Sequence, residues 1–512
     1  MCTQMGEPRS AWLRNTSASS VAGYVAFFFE SAVGVVVSIL VVRALSISDF
    51  GAYKIAGSII MVGSYLTSCG LDPTLQRFGA ELIARQQFGV LLKFFNYVRL
   101  VRIFALVVFC TGVMLMRRQI ADVLAFPDAL SFALPLILAI LCLQSAVNIF
   151  GFTFFSARGD FIELSIVRVV GTFLRLASLS LVFVVSADLM GALGAILFAS
   201  SIVFVYVVLR NKNWLRNRRE NIGVPVEIDH LRGRIFRYSW VAYLAVNVNV
   251  FRDLSVDNFV IAHYLGTEKV AVYGLAGTLI LFANTMNPSV MLRNLITPML
   301  VARHAMAEDN SGLVRAFRLL TKAVMLMHYP LVTLLLVLGG EMIRLVYSPA
   351  YLAAYQPLII LCLFSYFLGL SSPFSPLIAA LEKNTLWLLS GTTAIYNLAL
   401  DIWLVPKFGV LGAAFATGSA GLLQLILFWI AFKYVAGIAI EFPFAVLGRT
   451  LLNLALPVAI ALFARGHVTN LFELIGLMLV CGGLYMGAVY WNHGLDDTEL
   501  ARFGIFFRRR NA

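Results

Sequence analysis

Charged side chains are scarce in this chain, at 13% of its 512 residues. A soluble globular domain carries roughly 25%. Hydrophobic residues make up 60%, so a soluble fold would have too few polar side chains to cover its apolar surface. Cysteine is also sparse. Cys2, Cys69, Cys110, Cys142, Cys362 and Cys481 form no CxxC pair, which leaves neither a disulfide framework nor a zinc site. There is no GxxxxGK[ST] phosphate loop, no HExxH and no GxSxG elbow, which removes nucleotide hydrolysis by that route and the common zinc and serine hydrolases. The histidines, His230, His263, His304, His328, His467 and His493, are isolated from one another. No catalytic constellation is expected, and no cofactor or metal.

Long apolar runs are what the chain has instead. A run of about 20 residues spans the hydrocarbon core of a bilayer, and such runs recur from end to end. They predict an all-α polytopic membrane protein of about fourteen transmembrane helices. The spans fall near 21–45, 51–71, 96–116, 129–156, 161–186, 189–210, 236–264, 269–298, 319–346, 352–380, 385–405, 409–435, 446–464 and 470–491. The first is longer than the apolar stretch of a signal peptide, so it is read as a retained helix.

The formal net charge is +13. Most basic residues lie in loops on alternate sides of the spans, which marks those loops as cytoplasmic and argues against nucleic acid as a partner. The largest basic loop runs from Arg210 to Arg237; Arg303 to Lys322 and Arg508-Arg509-Arg510 fall on the same side. Both termini are therefore expected in the cytoplasm. No external loop exceeds roughly 15 residues, which disfavours a membrane glycosyltransferase or polymerase that must surround an external acceptor.

The chain also resembles itself. Tyr53-Lys54-Ile55-Ala56-Gly57-Ser58-Ile59-Ile60 is similar to Tyr273-Gly274-Leu275-Ala276-Gly277-Thr278-Leu279-Ile280. At nearly the same offset, Met190-Gly191-Ala192-Leu193-Gly194-Ala195 is similar to Phe408-Gly409-Val410-Leu411-Gly412-Ala413. The offset covers an even number of spans, so the repeats run parallel. This divides the chain into a six-helix lobe at 1–210, a basic linker at 211–235, a second pseudo-symmetric six-helix lobe at 236–435, and a helix pair with a basic tail at 436–512. Paired lobes around a substrate site suit alternating access.

Ionisable residues inside spans point to function, because each costs about 2.5–3.5 kcal/mol or more at the bilayer centre. Arg168 and Arg175 stand two turns apart on one helix face. With Arg252 and Asn249 they are the candidate lining of an electropositive cavity for an anionic headgroup, since guanidinium groups offer forked donors to phosphate. Asp253, Asp257 and Glu30 are candidates for ion coupling. The alternative for each is structural: pairing within the helix bundle, or snorkelling, which is the expectation for Arg43 and Lys54 near helix ends.

Several stretches resemble the polysaccharide-exporter and O-antigen flippase family of the multidrug/oligosaccharidyl-lipid/polysaccharide exporter superfamily. Asp49-Phe50-Gly51-Ala52-Tyr53 is similar to its FGxY turn. Asp257-Asn258-Phe259-Val260-Ile261, with Tyr264-Leu265-Gly266 and Val272-Tyr273, is similar to its D-x-x-x-I-x-x-x-LG…VGxY pattern. Val405-Pro406-Lys407-Phe408-Gly409-Val410-Leu411-Gly412-Ala413-Ala414 is similar to its IPxFGxxGAA segment. The resemblance implies a multi-pass protein of the bacterial inner membrane. It also implies flipping of an undecaprenyl-diphosphate-linked oligosaccharide to the periplasmic leaflet, alongside other polysaccharide-assembly membrane proteins, and it marks Asp257 by motif. A multidrug or cation antiporter and a peptidoglycan lipid-precursor flippase of the same superfamily are the competing readings.

Overall fold

The computed structural model describes residues 8–84, 87–124, 128–216, 229–251, 253–291, 293, 296–297, 300, 310–381, 386 and 388–492. Among them every regular element is helical. The first half comprises α1 (Pro8–Ala44), α2 (Ile47–Leu66), α3 (Leu71–Ala84), α4 (Phe88–Leu115), α5 (Arg117–Val123), α6 (Asp128–Val147), α7 (Phe154–Arg158), α8 (Phe161–Val185), α9 (Leu189–Arg216), α10 (Asp229–Val250), α11 (Leu254–Leu265) and α12 (Thr267–Thr285). The second comprises α13 (Pro288–Met291), α14 (Ser311–Met342), α15 (Tyr355–Ser371), α16 (Phe374–Ala380), α17 (Leu388–Phe408), α18 (Val410–Tyr434), α19 (Phe444–Ala464) and α20 (Leu471–Trp491). Ten helices among the described residues are long and apolar enough to cross a membrane, or eleven if the bent pair α2–α3 counts as one span. The chain is a multi-pass helical membrane protein.

Two expected spans are interrupted, each for a visible reason. The span expected at 51–71 is α2, which ends at Leu66 and turns by 50° into α3. At the corner the Thr67 and Ser68 hydroxyls bond back to the carbonyls of Gly63 (2.7 Å) and Tyr65 (2.8 Å), which satisfies acceptors that a helix end leaves open. Cys69 (φ 50°) and Gly70 (φ 66°) then take left-handed backbone. Gly70 has a second constraint: a Cβ there would lie 2.1 Å from the Ser239 carbonyl of α10. The span expected at 236–264 divides into α10 and α11. Asp253 supplies the N-cap of α11, its carboxylate accepting from the Ser255 N–H at 2.9 Å, a standard way to start a helix.

The chain packs as two compact units. The repeat-derived boundaries at 210, 236 and 435 divide it differently. Residues 1–274 and 390–416 form the first unit. There α1 runs along α8, α8 along α9, α2 against α6 and α11, and α3 against α7 and α10. Lipid is as apolar as leucine, so helices in a membrane associate through close packing and buried polar links rather than hydrophobic burial. Thr74 Oγ1 lies 2.9 Å from Ser239 Oγ, and Asn258 Nδ2 donates to Ser58 Oγ at 3.0 Å. A buried cluster of Leu71, Leu75, Phe78, Leu91, Phe95 and Phe154 fills the base of α3, α4 and α7.

Residues 275–389 and 417–512 form the second unit. Here α14 packs on α15, α19 and α20, and Phe317, Phe374, Phe428 and Phe432 interlock as buried rings. The buried His328 lies 3.2 Å from the Ala283 carbonyl and 3.2 Å from Ser365 Oγ, and Ser365 donates to Asn284 at 2.6 Å. Asn287 accepts from the Ser289 N–H and from the Ser372 hydroxyl. Asn284 and Asn287 thus take part in bonds between the helices of this unit.

Candidate functional site

Within the first unit, apart from a buried Arg102–Asp72 ion pair at 3.4 Å, two clusters of charge of opposite character stand among the helices. The basic cluster is built by α1, α2 and α8. Arg168 and Arg175 project from α8, as their seven-residue spacing predicts. Arg168 Nη1 lies 3.7 Å from Glu30 Oε2 on α1, with the two side chains 37% and 41% exposed. A pair this open and this long contributes about 0–1 kcal/mol, so Glu30 does not lock the arginine. The Arg168 guanidinium also sits 5.6 Å from the Phe152 ring centre. Phe152 belongs to a wide π-helical turn, Asn148–Thr153, between α6 and α7.

Two turns along, Arg175 Nη2 donates to the Tyr53 hydroxyl of α2 at 2.5 Å, while its buried Nε has no partner among the described residues. Lys54, next in sequence, places Nζ 5.3 Å from the Phe50 ring centre and lies within Coulombic range of Arg175. Its stem lies against Gly274 of α12, where an added Cβ would fall 2.9 Å from Lys54 Cγ. Among the described residues, Arg168, Arg175 and Lys54 thus gather on one side of the first unit, with the Glu30 carboxylate in open contact with Arg168.

The acidic cluster lies on α11, α12 and α17. Asp257 and Asp401 are both 0% exposed. Asp257 Oδ2 accepts from the Tyr273 hydroxyl at 2.6 Å, and its Oδ1 from Asn397 Nδ2 at 3.1 Å. The same amide nitrogen lies 3.4 Å from Asp401 Oδ2. Asp401 Oδ1 and Asn397 Oδ1 are buried with no partner among the described residues. Two carboxylates and an amide oxygen therefore lie together out of solvent. Like charges in a buried site repel strongly unless a positive charge joins them, and this arrangement of oxygens can take one.

The remaining candidates separate from these clusters. Asp253 is occupied as the cap of α11. Arg252 lies outside the described residues, as does the side chain of Asn249. Asp401 and Asn397 were missed as candidates, yet a signal was present: a carboxylate in an apolar run, four residues after an amide and so on the same helix face.

The described helices form a multi-pass membrane fold with two groups of charged side chains gathered between helices of the first unit. The fold is similar to that of the solved structure of the lipid II flippase MurJ in an inward closed conformation, with a TM-score of 0.69 at 15% identity over 92% of this chain and 99% of that one. It is also similar to the MATE multidrug transporter DinF-BH, with a TM-score of 0.60 at 18% identity over 81% and 94% of the two chains. A transporter of the MOP superfamily from Pyrococcus furiosus aligns with a TM-score of 0.56 at 13% identity over 82% and 95%. Sequence comparison with proteins of curated function finds no match. The family model described as "Polysaccharide biosynthesis protein" matches residues 14–356, and the chain belongs to that family.

Proposed function

We propose that the protein flips an undecaprenyl-diphosphate-linked oligosaccharide from the cytoplasmic to the periplasmic leaflet of the bacterial inner membrane by alternating access. The reading is carried by the two arginines on one face of α8, Arg168 in an open contact with Glu30 and Arg175 held by one hydroxyl, in a chain of the polysaccharide-biosynthesis family. A diphosphate is the headgroup that such a cluster fits: arginine forks bind phosphate oxygens in pairs, and the long Arg168–Glu30 contact leaves that guanidinium available. The two related lobes, 1–210 and 236–435, would rock about the substrate, and both termini would face the cytoplasm with the basic linker.

Outward movement of an anionic headgroup from an inside-negative cell gains up to about 2.3 kcal/mol per charge per 100 mV. Coupling to an inward cation would add to this, and the Asp257–Asp401 pair, with Asn397 and Tyr273, supplies oxygen acceptors for one. Glu30 and Asp253 are weaker coupling candidates, since one is partly solvated and the other is committed to a helix cap. The acidic pair also favours a second reading, cation-coupled export of amphipathic molecules.

The deciding experiment deletes the gene and asks in which leaflet lipid-linked glycan accumulates. Accumulation in the cytoplasmic leaflet, with normal growth and loss of surface polysaccharide, supports glycan flipping and excludes an essential peptidoglycan role. Unchanged surface glycan with increased drug sensitivity overturns it in favour of export.

A further inference from the structure

A second basic cluster lies apart from both sites, where α3 meets the first turns of α10. Arg77 and Phe78 of α3, with Arg234, Arg237, Tyr238 and Val241 of α10, surround a void of about 220 Å³. The two aromatic rings form its floor. Phe78 and Tyr238 meet edge to face with centres 5.8 Å apart, and Phe78 is 2% exposed. They hold the cations in place: the Arg77 guanidinium carbon lies 4.9 Å from the Tyr238 ring centre and 5.7 Å from that of Phe78, and that of Arg234 lies 5.6 Å from Phe78. Arg234 and Arg237 are one turn apart, so they share a face of α10. All three arginines are exposed at the surface.

No carboxylate among the described residues forms an ion pair with any of the three. Glu81, one turn beyond Arg77, is the nearest acidic residue on α3, so the local charge stays positive even with it counted. Guanidinium groups stacked on aromatic faces keep their N–H edges free for in-plane acceptors. Two such edges, with the Arg237 guanidinium lining the same void, match a tetrahedral oxyanion better than a planar carboxylate. By the distribution of basic loops this first part of α10, which overlaps the expected basic linker 211–235, faces the cytoplasm, where lipid phosphates lie at the depth of a helix end.

We propose that Arg77, Arg234 and Arg237 form a binding site for a phosphate-bearing headgroup at the cytoplasmic face, separate from the membrane-buried clusters. Two sources share that chemistry, the phosphodiester of an anionic phospholipid and a diphosphate. The inference does not depend on which substrate is transported.

The test is isothermal titration of the full-length protein in a neutral detergent with dihexanoylphosphatidylglycerol, with inorganic pyrophosphate, and with dihexanoylphosphatidylcholine. Saturable binding of phosphatidylglycerol or pyrophosphate by the wild type is expected, with phosphatidylcholine at least tenfold weaker. The anion that binds more tightly identifies the source. Arg234→Gln/Arg237→Gln is expected to weaken anion binding by about tenfold or more. Arg234→Lys/Arg237→Lys, which keeps the charge and the fold but loses the fork, is expected to weaken it several-fold, and it carries the test if the glutamine variant fails to fold. Anion binding unchanged in both variants, or phosphatidylcholine bound as tightly as the anions, overturns the proposal.

Discussion

At the scale of single residues, the buried carboxylates give the sharpest expectations. Tyr273→Phe removes one donor to Asp257 without changing ring packing. Loss of a buried hydrogen bond to a charged group is expected to cost about 2 kcal/mol, read as a lower thermal midpoint of the purified protein in detergent. Asp257→Asn and Asp401→Asn preserve shape but remove the charge that would hold a cation. Each is expected to reduce cation-dependent transport in proteoliposomes at least tenfold, and the double variant no further, because residues that act as a unit are not additive. Arg175 is held by one hydroxyl at 2.5 Å, and a lysine could reach the same oxygen with a point charge. Arg175→Lys is therefore expected to retain folding and lose several-fold in transport, whereas Arg168→Gln, which breaks an open pair and a partly exposed ring contact, lowers the thermal midpoint by no more than about 1 kcal/mol equivalent. Normal transport in Arg168→Gln and Arg175→Lys together would count against an anionic cargo at this cluster.

At the scale of elements, the breaks matter more than the helices. The α2–α3 corner points α3 toward α10, and so builds both the Thr74–Ser239 link and the pocket around Arg77. Gly70→Ala places a Cβ on left-handed backbone, which costs about 1–2 kcal/mol, and drives it into the Ser239 carbonyl. A fall in the thermal midpoint equivalent to about 2–4 kcal/mol is expected with overpacking included. Asp253→Ala removes the cap of α11 and is expected to cost about 1 kcal/mol. If Asp253 is a cap and no more, Asp253→Asn restores both stability and transport. The apolar runs revealed that helices occupy these segments, but the corner at 67–70 and the break before α11 are marked only by short polar stretches, Thr67-Ser68 and Arg252-Asp253, which a spanning helix can also carry. Hydropathy reports what lies beside a segment in the bilayer and is silent about backbone direction.

At the scale of the whole molecule, orientation is the testable quantity. If the basic loops set topology, single cysteines introduced into a cysteine-free background at positions 220 and 505 react with a membrane-impermeant maleimide only in inside-out vesicles. Reaction from the periplasmic side at either position overturns the orientation. Transport in vesicles is likewise expected to rise with an inside-negative potential, by an amount set by the charge moved. Flipping indifferent to voltage, pH and sodium removes both proposed energy sources.

The class of the molecule was fixed in the composition. So little charge over so many apolar runs has one stable solution, a helical bundle in a bilayer, because only helices or closed barrels satisfy every backbone group there. The stripe of Arg168 and Arg175 was equally plain, since helical periodicity alone sets it. Which groups meet was decided by tertiary structure. Asp257 finds Asp401 and Asn397 across 140 and more residues, and Arg77 finds Arg234 and Arg237 across a corner formed by one glycine. A local pattern assigns a side chain to a helix face, but the partner opposite that face depends on how the helices pack, and packing is set by the whole set of contacts at once.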